Sequence, residues 1–188
     1  MADYKQTSGY FIGLNNTRLF YQSWQAERPC GAVVIVHGIG EHSGRYNNLI
    51  DRMQNDSISF YALDHRGHGL SEGKKGHINS FDDYTTDLKS FIEMVRTEET
   101  GLPIILLGHS MGGTIACKFA LNYSGYINGL ILSSAGFIQA VKVPVWKKTM
   151  ARLLGNIVPG LSMPTGLESS ALSHDQQVVD DYSNDPLV

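Results

Sequence analysis

The chain has 188 residues, of which 42% are hydrophobic and 18% charged, and a formal net charge of −3. These values predict one globular domain and exclude a disordered chain, and the weak net charge without a dense Lys/Arg cluster argues against a nucleic-acid partner. Residues 1–9 lack the basic and apolar regions of a signal peptide, and no apolar run is long enough to span a bilayer. Cys30 and Cys117 lie in or beside apolar runs, which predicts reduced thiols in the core and a cytoplasmic protein.

The elements predicted in chain order alternate between strands and helices. Residues 10–14 and 18–24 alternate apolar and polar side chains around an Asn-Asn-Thr turn, which predicts a β-hairpin. The continuous apolar run at residues 32–36 then predicts a strand buried on both faces. Further strands are predicted at residues 58–63, 103–107, which is also expected to be buried, and 127–133. Helices are predicted at residues 46–54, from the capping residue Ser80 to about Glu98, and at 110–121. This order predicts an α/β fold with a mostly parallel sheet and helices on both faces.

The sequence pattern changes after Phe137. Residues 141–161 form an amphipathic segment with Trp146 and Met150 on its apolar side, and residues 159–188 are rich in Pro, Gly, Ser and Asp without a strand pattern. An exposed tail is one interpretation, but an apolar stripe needs a covering partner, which favours a cap over the sheet. We therefore predict a core at residues 1–138 and an incomplete cap at residues 139–188.

Residues 108–112 (GHSMG) fit the G-x-S-x-G pattern of a nucleophile elbow, and so do residues 69–73 (GLSEG). Only the first match has a buried strand before it and a helical pattern after it, as an exposed nucleophile on a strained turn requires. Its glycines suit a tight strand-to-helix turn that leaves no room for a Cβ atom. Ser110 is therefore the predicted nucleophile, with a helix-capping serine as the alternative, and Ser71 is predicted to belong to a structural loop.

Residues 37–41 (HGIGE) follow the first buried strand. An acyl-transfer enzyme needs backbone N–H donors for the developing oxyanion, and one of them belongs to the residue after the nucleophile, here Met111. The second comes from the loop after an earlier strand, which here indicates Ile39. The flanking Gly38 and Gly40 would let this loop approach a substrate closely.

Neither a cofactor nor a metal ion is predicted. The first strand, its glycine-rich turn and the next strand, which ends at Asp64, imitate a dinucleotide-binding unit, but the third glycine is one residue late and the Ser110 elbow would be unexplained. His65 and His68 stand three residues apart on a loop without a third ligand at a fixed spacing, which is a weak metal site. We expect instead that Asp64 and Arg66 form an ion pair that stiffens this loop.

Three segments together resemble the monoacylglycerol lipase and lysophospholipase family of α/β-hydrolases: residues 37–46 (HGIGEHSGRY), 64–73 (DHRGHGLSEG) and 108–113 (GHSMGG). Residues 182–188 (YSNDPLV) look like the family's cap exit. The resemblance implies a lipid ester substrate, no cofactor, and a cap that can touch membrane surfaces. It implies Ser110 as the nucleophile and Ile39 and Met111 as oxyanion-hole amides, with Gly38, Gly40 and His109 near the substrate.

The catalytic triad is predicted to be incomplete. The hydrolase order is Ser, then Asp or Glu, then His. Downstream of Ser110 the only histidine is His174 and the only acid before it is Glu168, and neither follows a predicted strand, so this pair is rejected. The resemblance implies that the acid and the base come after the cap, beyond Val188. We therefore interpret the chain as C-terminally truncated.

Such a truncated chain is expected to be inactive alone, although the complete protein would be an enzyme. It would leave a sheet edge and a core face uncovered, and we expect self-association through that surface. A hydrolase-fold module without catalytic activity, which binds a lipid or a partner protein, is the alternative function.

Overall fold

The computed structural model describes residues 4–53, 56–137 and 173–188. The strands are β1 (Lys5–Ile12), β2 (Arg18–Gln25), β3 (Gly31–Val36), β4 (Ile58–Leu63), β5 (Ile104–His109) and β6 (Gly129–Ser133). The helices are α1 (Asn47–Arg52), α2 (Phe81–Glu98), α3 (Met111–Asn122) and α4 (Gln176–Ser183). Short 3-10 turns occur at Leu14–Asn16, Ser43–Tyr46 and Ser124–Tyr126.

The six strands form one sheet in the order β1-β2-β4-β3-β5-β6. Strands β3, β4, β5 and β6 run parallel, whereas β2 is antiparallel to both β1 and β4. The predicted N-terminal hairpin and the mostly parallel sheet are therefore confirmed. Strand β1 begins five residues earlier than predicted, because its first residues pair with β2 as far as Lys5 with Gln25. These first residues are mostly exposed and polar, so their sequence shows no alternation of apolar and polar residues that would predict a strand.

The central strands of the sheet are buried on both faces, whereas β6 is exposed, and β3 shows why a strand buried on both faces is continuously apolar. Val34 and Val36 belong to a core cluster with residues of α2 and α3, whereas Val33 and Ile35 belong to a second cluster that includes Ile50 of α1. Successive side chains of a strand point to opposite faces, so a strand covered on both sides needs an apolar residue at every position. Fully burying each such side chain contributes about 1.5–3 kcal/mol.

Helix α2 begins where the sequence predicts. The Ser80 Oγ accepts a hydrogen bond from the Asp82 N–H at 3.2 Å, and the Asp83 Oδ2 accepts one from the Ser80 N–H at 3.3 Å. This capping box satisfies donors at the helix N-terminus that have no partner within the helix. The buried side of α2 then packs on the first core cluster, with Leu88, Phe91, Ile92 and Val95 fully buried.

The predicted cap can be compared with the structure only at its end. The boundary at residues 138 and 139 and the amphipathic segment at 141–161 lie outside the described residues, so both stay predictions. Within residues 173–188 the structure contains α4, whose N-terminus is capped by the Asp175 side chain. Val179 is the buried residue of this helix, so α4 packs on the rest of the described chain.

The prediction for the cysteines is wrong at one position. Cys30 is exposed, because it lies in the connection that precedes β3 rather than in the strand, while Cys117 is partly buried on α3. Both are free thiols.

The predicted ion pair between Asp64 and Arg66 is also wrong. Arg66 forms a bidentate pair with Asp87 of α2, with Nε–Oδ2 and Nη2–Oδ1 distances of 2.6 and 2.7 Å. Asp87 also accepts a hydrogen bond from the Leu14 N–H at 2.8 Å, which attaches the hairpin to α2. Asp64 instead accepts amide hydrogen bonds from other loop residues, because the chain after β4 turns Asp64 and Arg66 towards different elements.

Three histidines, His37, His65 and His68, belong to the loops that follow β3 and β4 and lie close together. The ring centroids of His37 and His65 are 4.3 Å apart, and those of His37 and His68 are 5.4 Å apart. The His37 Nε2 accepts a hydrogen bond from the His65 N–H at 2.9 Å, and Nδ1 lies 2.7 Å from the Gly38 carbonyl oxygen, so a neutral ring with its proton on Nδ1 satisfies both contacts. In the described part of the chain, no group of three His, Cys, Asp or Glu residues could hold a metal ion.

Burial keeps these histidines neutral. Burial and the neighbouring His65 and His68 lower the pKa of His37 well below its ordinary value. Burial, followed by the proximity of His68, lowers the pKa of His65 from 6.5 to about 3. Burial likewise lowers the pKa of His68. The unfolded chain therefore binds protons on these histidines at a higher pH than the folded chain does, so the free energy of unfolding decreases as the pH falls.

The buried ion pair yields a first prediction. Replacing Asp87 by Ala leaves the Arg66 guanidinium buried without its partner, so the free energy of unfolding in urea should fall by about 3–5 kcal/mol. The matched control is Lys118→Gln, which breaks the more exposed pair between Lys118 and Asp82 and should cost at most about 1 kcal/mol. Equal losses in the two variants would contradict a structural role for the buried pair.

The histidine cluster yields a second prediction. Above pH 6.5 the imidazoles are neutral in both states, and between pH 6.5 and about 3 the unfolded chain gains protons that the folded His65 does not. Each such histidine therefore steepens the loss of stability by up to about 1.4 kcal/mol per pH unit in this window. His65→Phe should flatten the pH dependence of urea unfolding, whereas His174→Phe, at an exposed site, should not. An unchanged slope in His65→Phe would contradict this account.

Candidate active site

Ser110 occupies a strained turn between a strand and a helix. Strand β5 ends at His109, α3 begins at Met111, and Ser110 between them has φ 52° and ψ −118°. A positive φ is unfavourable for a serine and persists only where surrounding contacts hold the backbone. The Ser110 N–H donates to the Ser133 carbonyl at 2.9 Å, and its carbonyl accepts from the Gly136 N–H at 3.1 Å. The end of β6 and the loop after it therefore hold this turn from both sides.

The glycines around Ser110 permit very close packing. A Cβ atom on Gly112 would collide with the carbonyl oxygens of Val36 and His37 at the end of β3. One on Gly113 would lie 2.7 Å from the Ala135 Cβ, far inside the distance of ordinary contact. Helix α3 can therefore start directly against the carboxyl end of β3, and this places Ser110 at the edge of the sheet where the loops after the parallel strands meet.

The loop after β3 lies against this turn. A Cβ atom built on Gly38 would be 3.1 Å from the Ser110 Cβ and 3.5 Å from the His109 Cδ2. The structure thus brings together Gly38, His109 and Ser110, three of the residues predicted from the sequence. Ile39, the next residue of the loop, has 40% of its surface exposed.

A carboxylate that the sequence analysis missed fixes the loop's backbone. The Glu41 Oε2 accepts hydrogen bonds from the Gly38 N–H at 2.8 Å and from the Tyr46 hydroxyl at 3.1 Å. Burial and the adjacent Glu41 raise the pKa of Tyr46, so the phenol stays protonated and can donate. Because the Gly38 amide is already used, Ile39 is the next amide in the loop that could face a ligand. An acid three residues after a glycine was the signal available in the sequence.

The predicted oxyanion-hole amides stay predictions, but their positions can be described. Met111 is the first residue of α3, and the first amides of a helix have no partner within that helix. Among the described contacts, no hydrogen bond uses the amide of Ile39 or Met111. Gly40 has φ +64°, and a Cβ there would lie 2.7 Å from the Tyr182 Oη. His109 Nδ1 lies 3.2 Å from the Ser133 Oγ at the rim of the site.

No described histidine is bonded to the Ser110 hydroxyl. His42 follows the loop's glycines, but its Nε2 is 2.9 Å from the Asp185 Oδ2 and its Nδ1 accepts from the Gly44 N–H at 3.2 Å. With both ring nitrogens engaged, His42 has none left to accept a proton from Ser110. His174 is exposed, and Glu168 lies outside the described residues. The incomplete triad stays a prediction.

Ser71 of the second G-x-S-x-G segment and Asp64 of the dinucleotide-like pattern both have structural roles. The Ser71 hydroxyl donates to the Asp64 carbonyl at 2.6 Å and accepts from the Phe20 N–H at 2.8 Å. The two carboxylate oxygens of Asp64 accept from the Ser43 and Leu70 amides at 2.7 and 2.8 Å. Asp64 therefore fastens the loop after β3 to the loop after β4. In the dinucleotide-binding alternative this acid would bind a ribose, but here both of its oxygens are bonded to loop amides.

The sequence is similar to proteins of one family. Residues 27–188 match the family described as Hydrolase_4, serine aminopeptidase S33. The chain is 35% identical over 179 residues to the monoacylglycerol lipase of Mycolicibacterium smegmatis, covering 95% of this chain and 64% of the relative. It is 33% identical over 181 residues to the monoglyceride lipase of Homo sapiens, covering 95% of this chain and 59% of the relative. This chain thus spans about six-tenths of the length of these relatives.

The fold is similar to that of a solved enzyme. The crystal structure of Paleococcus ferrophilus monoacylglycerol lipase matches with a TM-score of 0.78 and 37% sequence identity, over 90% of this chain and 63% of that one. Among the described residues, no helix is long and apolar enough to cross a membrane. With the sheet order, the Ser110 turn and the family match over residues 27–188 in agreement, the chain belongs to the serine aminopeptidase S33 family of α/β-hydrolases and has monoacylglycerol lipases among its relatives.

Proposed function

We propose that this chain carries the nucleophile-bearing part of a serine hydrolase that cleaves carboxylic esters of lipids, of the monoacylglycerol or lysophospholipid type. The observation that carries the proposal is the backbone of Ser110, which has φ 52° between a parallel strand and a helix, with the Gly38 loop packed against it. The names of the relatives support monoacylglycerol as the substrate class. No cofactor takes part in the proposed reaction.

In the complete enzyme, the Ser110 Oγ attacks the carbonyl carbon of the ester as its proton passes to a histidine base. The carbonyl oxygen becomes an oxyanion, which accepts hydrogen bonds from the amides of Ile39 and Met111. The histidine then gives its proton to the departing alcohol, leaving the acyl group on Ser110. A water molecule activated by the same histidine hydrolyses this acyl-enzyme and frees the serine.

The geometry around Met111 suits the oxyanion role. This residue begins α3, where unpaired amides and the helix dipole favour negative charge. Removing one oxyanion donor lowers the rate of such enzymes about 100- to 1,000-fold. Gly38, Gly40 and His109 are proposed to line the same side of the substrate, with the two glycines leaving room for its close approach.

The histidine base and its acid are proposed to lie outside this chain, which alone would be inactive. The described histidines support this view, because His37 and His65 are buried and His42 has both ring nitrogens engaged. The same observation favours the second candidate function, a hydrolase-fold module that binds a lipid or a protein without cleaving it.

Self-association and membrane contact are proposed as further properties. Edge strand β6 exposes three apolar side chains in the described part of the chain, Leu130, Ile131 and Leu132, with 37%, 48% and 39% of their surfaces accessible. An unpaired strand edge with apolar neighbours promotes pairing with another chain. Contact of the predicted cap with membrane surfaces would use residues 141–161. A cytoplasmic location agrees with two free cysteines.

A hydrolysis assay tests the proposed need for an external base. With 1-monoacylglycerol as the substrate, glycerol release by the 188-residue chain should not exceed that of Ser110→Ala, because an unassisted serine hydroxyl is a weak nucleophile. Activity that disappears in Ser110→Ala would establish the nucleophile but contradict the absence of base and acid. Activity that survives in Ser110→Ala would contradict the assignment of Ser110 itself.

Labelling with a fluorophosphonate separates the hydrolase from the non-catalytic module. In the complete protein, where a histidine base can act on the serine, the elbow and the adjacent amides should direct phosphonylation to Ser110, detectable by mass spectrometry of the labelled peptide. The label should vanish in Ser110→Ala and persist in Ser71→Ala, the matched change in the second G-x-S-x-G segment. A complete protein that takes up no label, or one labelled equally in both variants, would support the binding module instead.

A further inference from the structure

The end of the chain is bonded to the loop that carries Ile39. The Asp185 Oδ2 lies 2.9 Å from the His42 Nε2 and 3.3 Å from the Arg45 Nη1, while Oδ1 accepts from the Leu187 N–H at 2.9 Å. The Arg45 guanidinium also stacks over the Tyr182 ring, 4.8 Å from its centroid. These contacts join α4 and the residues after it to the segment after β3, across 140 and 143 residues of sequence for the two side-chain bonds.

The contacts are well shielded from water. The side chains of His42, Asp185 and Arg45 are 12%, 16% and 18% exposed. Burial by itself raises the pKa of Asp185, but hydrogen bonds from His42, the Leu187 amide and Arg45 outweigh it and hold that pKa below its ordinary value. Asp185 is therefore a carboxylate near neutral pH, and charge-assisted hydrogen bonds of this kind are stronger than neutral ones.

The bonded loop is fixed on both sides of Ile39. On one side, the Gly38 amide is held by Glu41. On the other side, Gly40 has a positive φ of 64° and lies so close to Tyr182 that a Cβ atom would come within 2.7 Å of its hydroxyl oxygen. The orientation of the Ile39 peptide thus depends on a contact within the loop and on a contact with α4.

We propose that Asp185 is a positioning residue, which orients the Ile39 amide by holding His42 and Arg45 against the C-terminal segment. The proposal rests on the proposed function, because it assigns the Ile39 amide to the oxyanion. Asp185 itself touches no reacting atom. Since α4 directly follows residues 138–172 in the chain, the contact also links the exit of the predicted cap to the oxyanion loop.

The test measures amide hydrogen exchange by NMR in the 188-residue chain, so it requires no catalytic activity. The informative amides are those of Gly44 and Arg45, which bond to the His42 Nδ1 and carbonyl oxygen, and that of Gly38, which bonds to Glu41. In Asp185→Asn all three should exchange at least about tenfold faster, because the side-chain bonds that hold the loop closed are weakened. The Ser43 amide, held by Asp64, should keep its rate and serves as the internal reference.

The matched control is Asp181→Asn on α4, whose carboxylate bonds to the Gln177 side chain and not to the loop. It should leave all four rates unchanged. Asp185→Glu keeps the charge and should restore most of the protection. If Asp185→Asn fails to fold, Arg45→Gln replaces it as the test, because it weakens the same contact from the loop side. A second readout is the His42 tautomer by ¹⁵N shifts, since the contacts of the folded chain place its proton on Nε2, and Asp185→Asn should mix the two tautomers.

Two results would overturn the proposal. Unchanged exchange at Gly38 in Asp185→Asn would mean that the contact does not reach the backbone beside Ile39. Faster exchange that extends equally to Ser43 and the amides of β3 would indicate general destabilisation rather than positioning. Neither result depends on whether Ser110 reacts, so failure of the labelling experiment would count against the proposed function alone.

Discussion

The site depends on how closely α3 approaches the end of β3. Gly112 lies directly against the carbonyl oxygens of Val36 and His37, and no other residue would fit there. This contact sets the start of the helix, which forces Ser110 into a positive φ and turns it towards the edge of the sheet. The strain is sustained because the Ser110 amide bonds to Ser133 at the end of β6 and the Ser110 carbonyl bonds to Gly136 in the loop after it.

Around this turn, buried and half-buried carboxylates organise the loops. Asp64 fastens the loop after β3 to the loop after β4, Glu41 fixes the glycine beside Ser110, and Asp87 joins the hairpin and Arg66 to α2. Asp185 adds the contact from the end of the chain. Each of these carboxylates accepts at least one hydrogen bond from a backbone amide. These bonds provide the partners that backbone amides find in regular strands and helices but lack in loops. Glycine-rich loops acquire defined shapes in this way.

The neutral histidine cluster adds a different constraint. His37 can bridge the Gly38 carbonyl and the His65 amide only as a neutral ring with its proton on Nδ1. Its burial secures that state at neutral pH, at the cost of stability in acid. The backbone of the loop after β3 is therefore shaped by an imidazole whose two ring nitrogens are both engaged by backbone groups. A histidine in a motif is thus not sufficient evidence for a catalytic base.

The sequence by itself determined most of the elements and the strand-to-helix turn at Ser110. Buried strands have apolar residues at every position, helices repeat them at 3.6-residue spacing, and a G-x-S-x-G segment between the two identified the Ser110 turn ahead of the identical pattern at Ser71. These signals are local, so they can be read along the chain. The N-terminal limit of β1 was missed because it depends on pairing with β2 rather than on its own pattern.

Only the tertiary structure decided which charged and polar groups meet. It paired Arg66 with Asp87 instead of Asp64, exposed Cys30, and brought Asp185 to His42 from 143 residues away. Such contacts depend on where separate elements pack. The sequence around a carboxylate does not indicate which distant side chain or amide will be its partner. Local periodicity specifies burial, whereas hydrogen-bond partners are fixed by distances that exist only once the chain has folded.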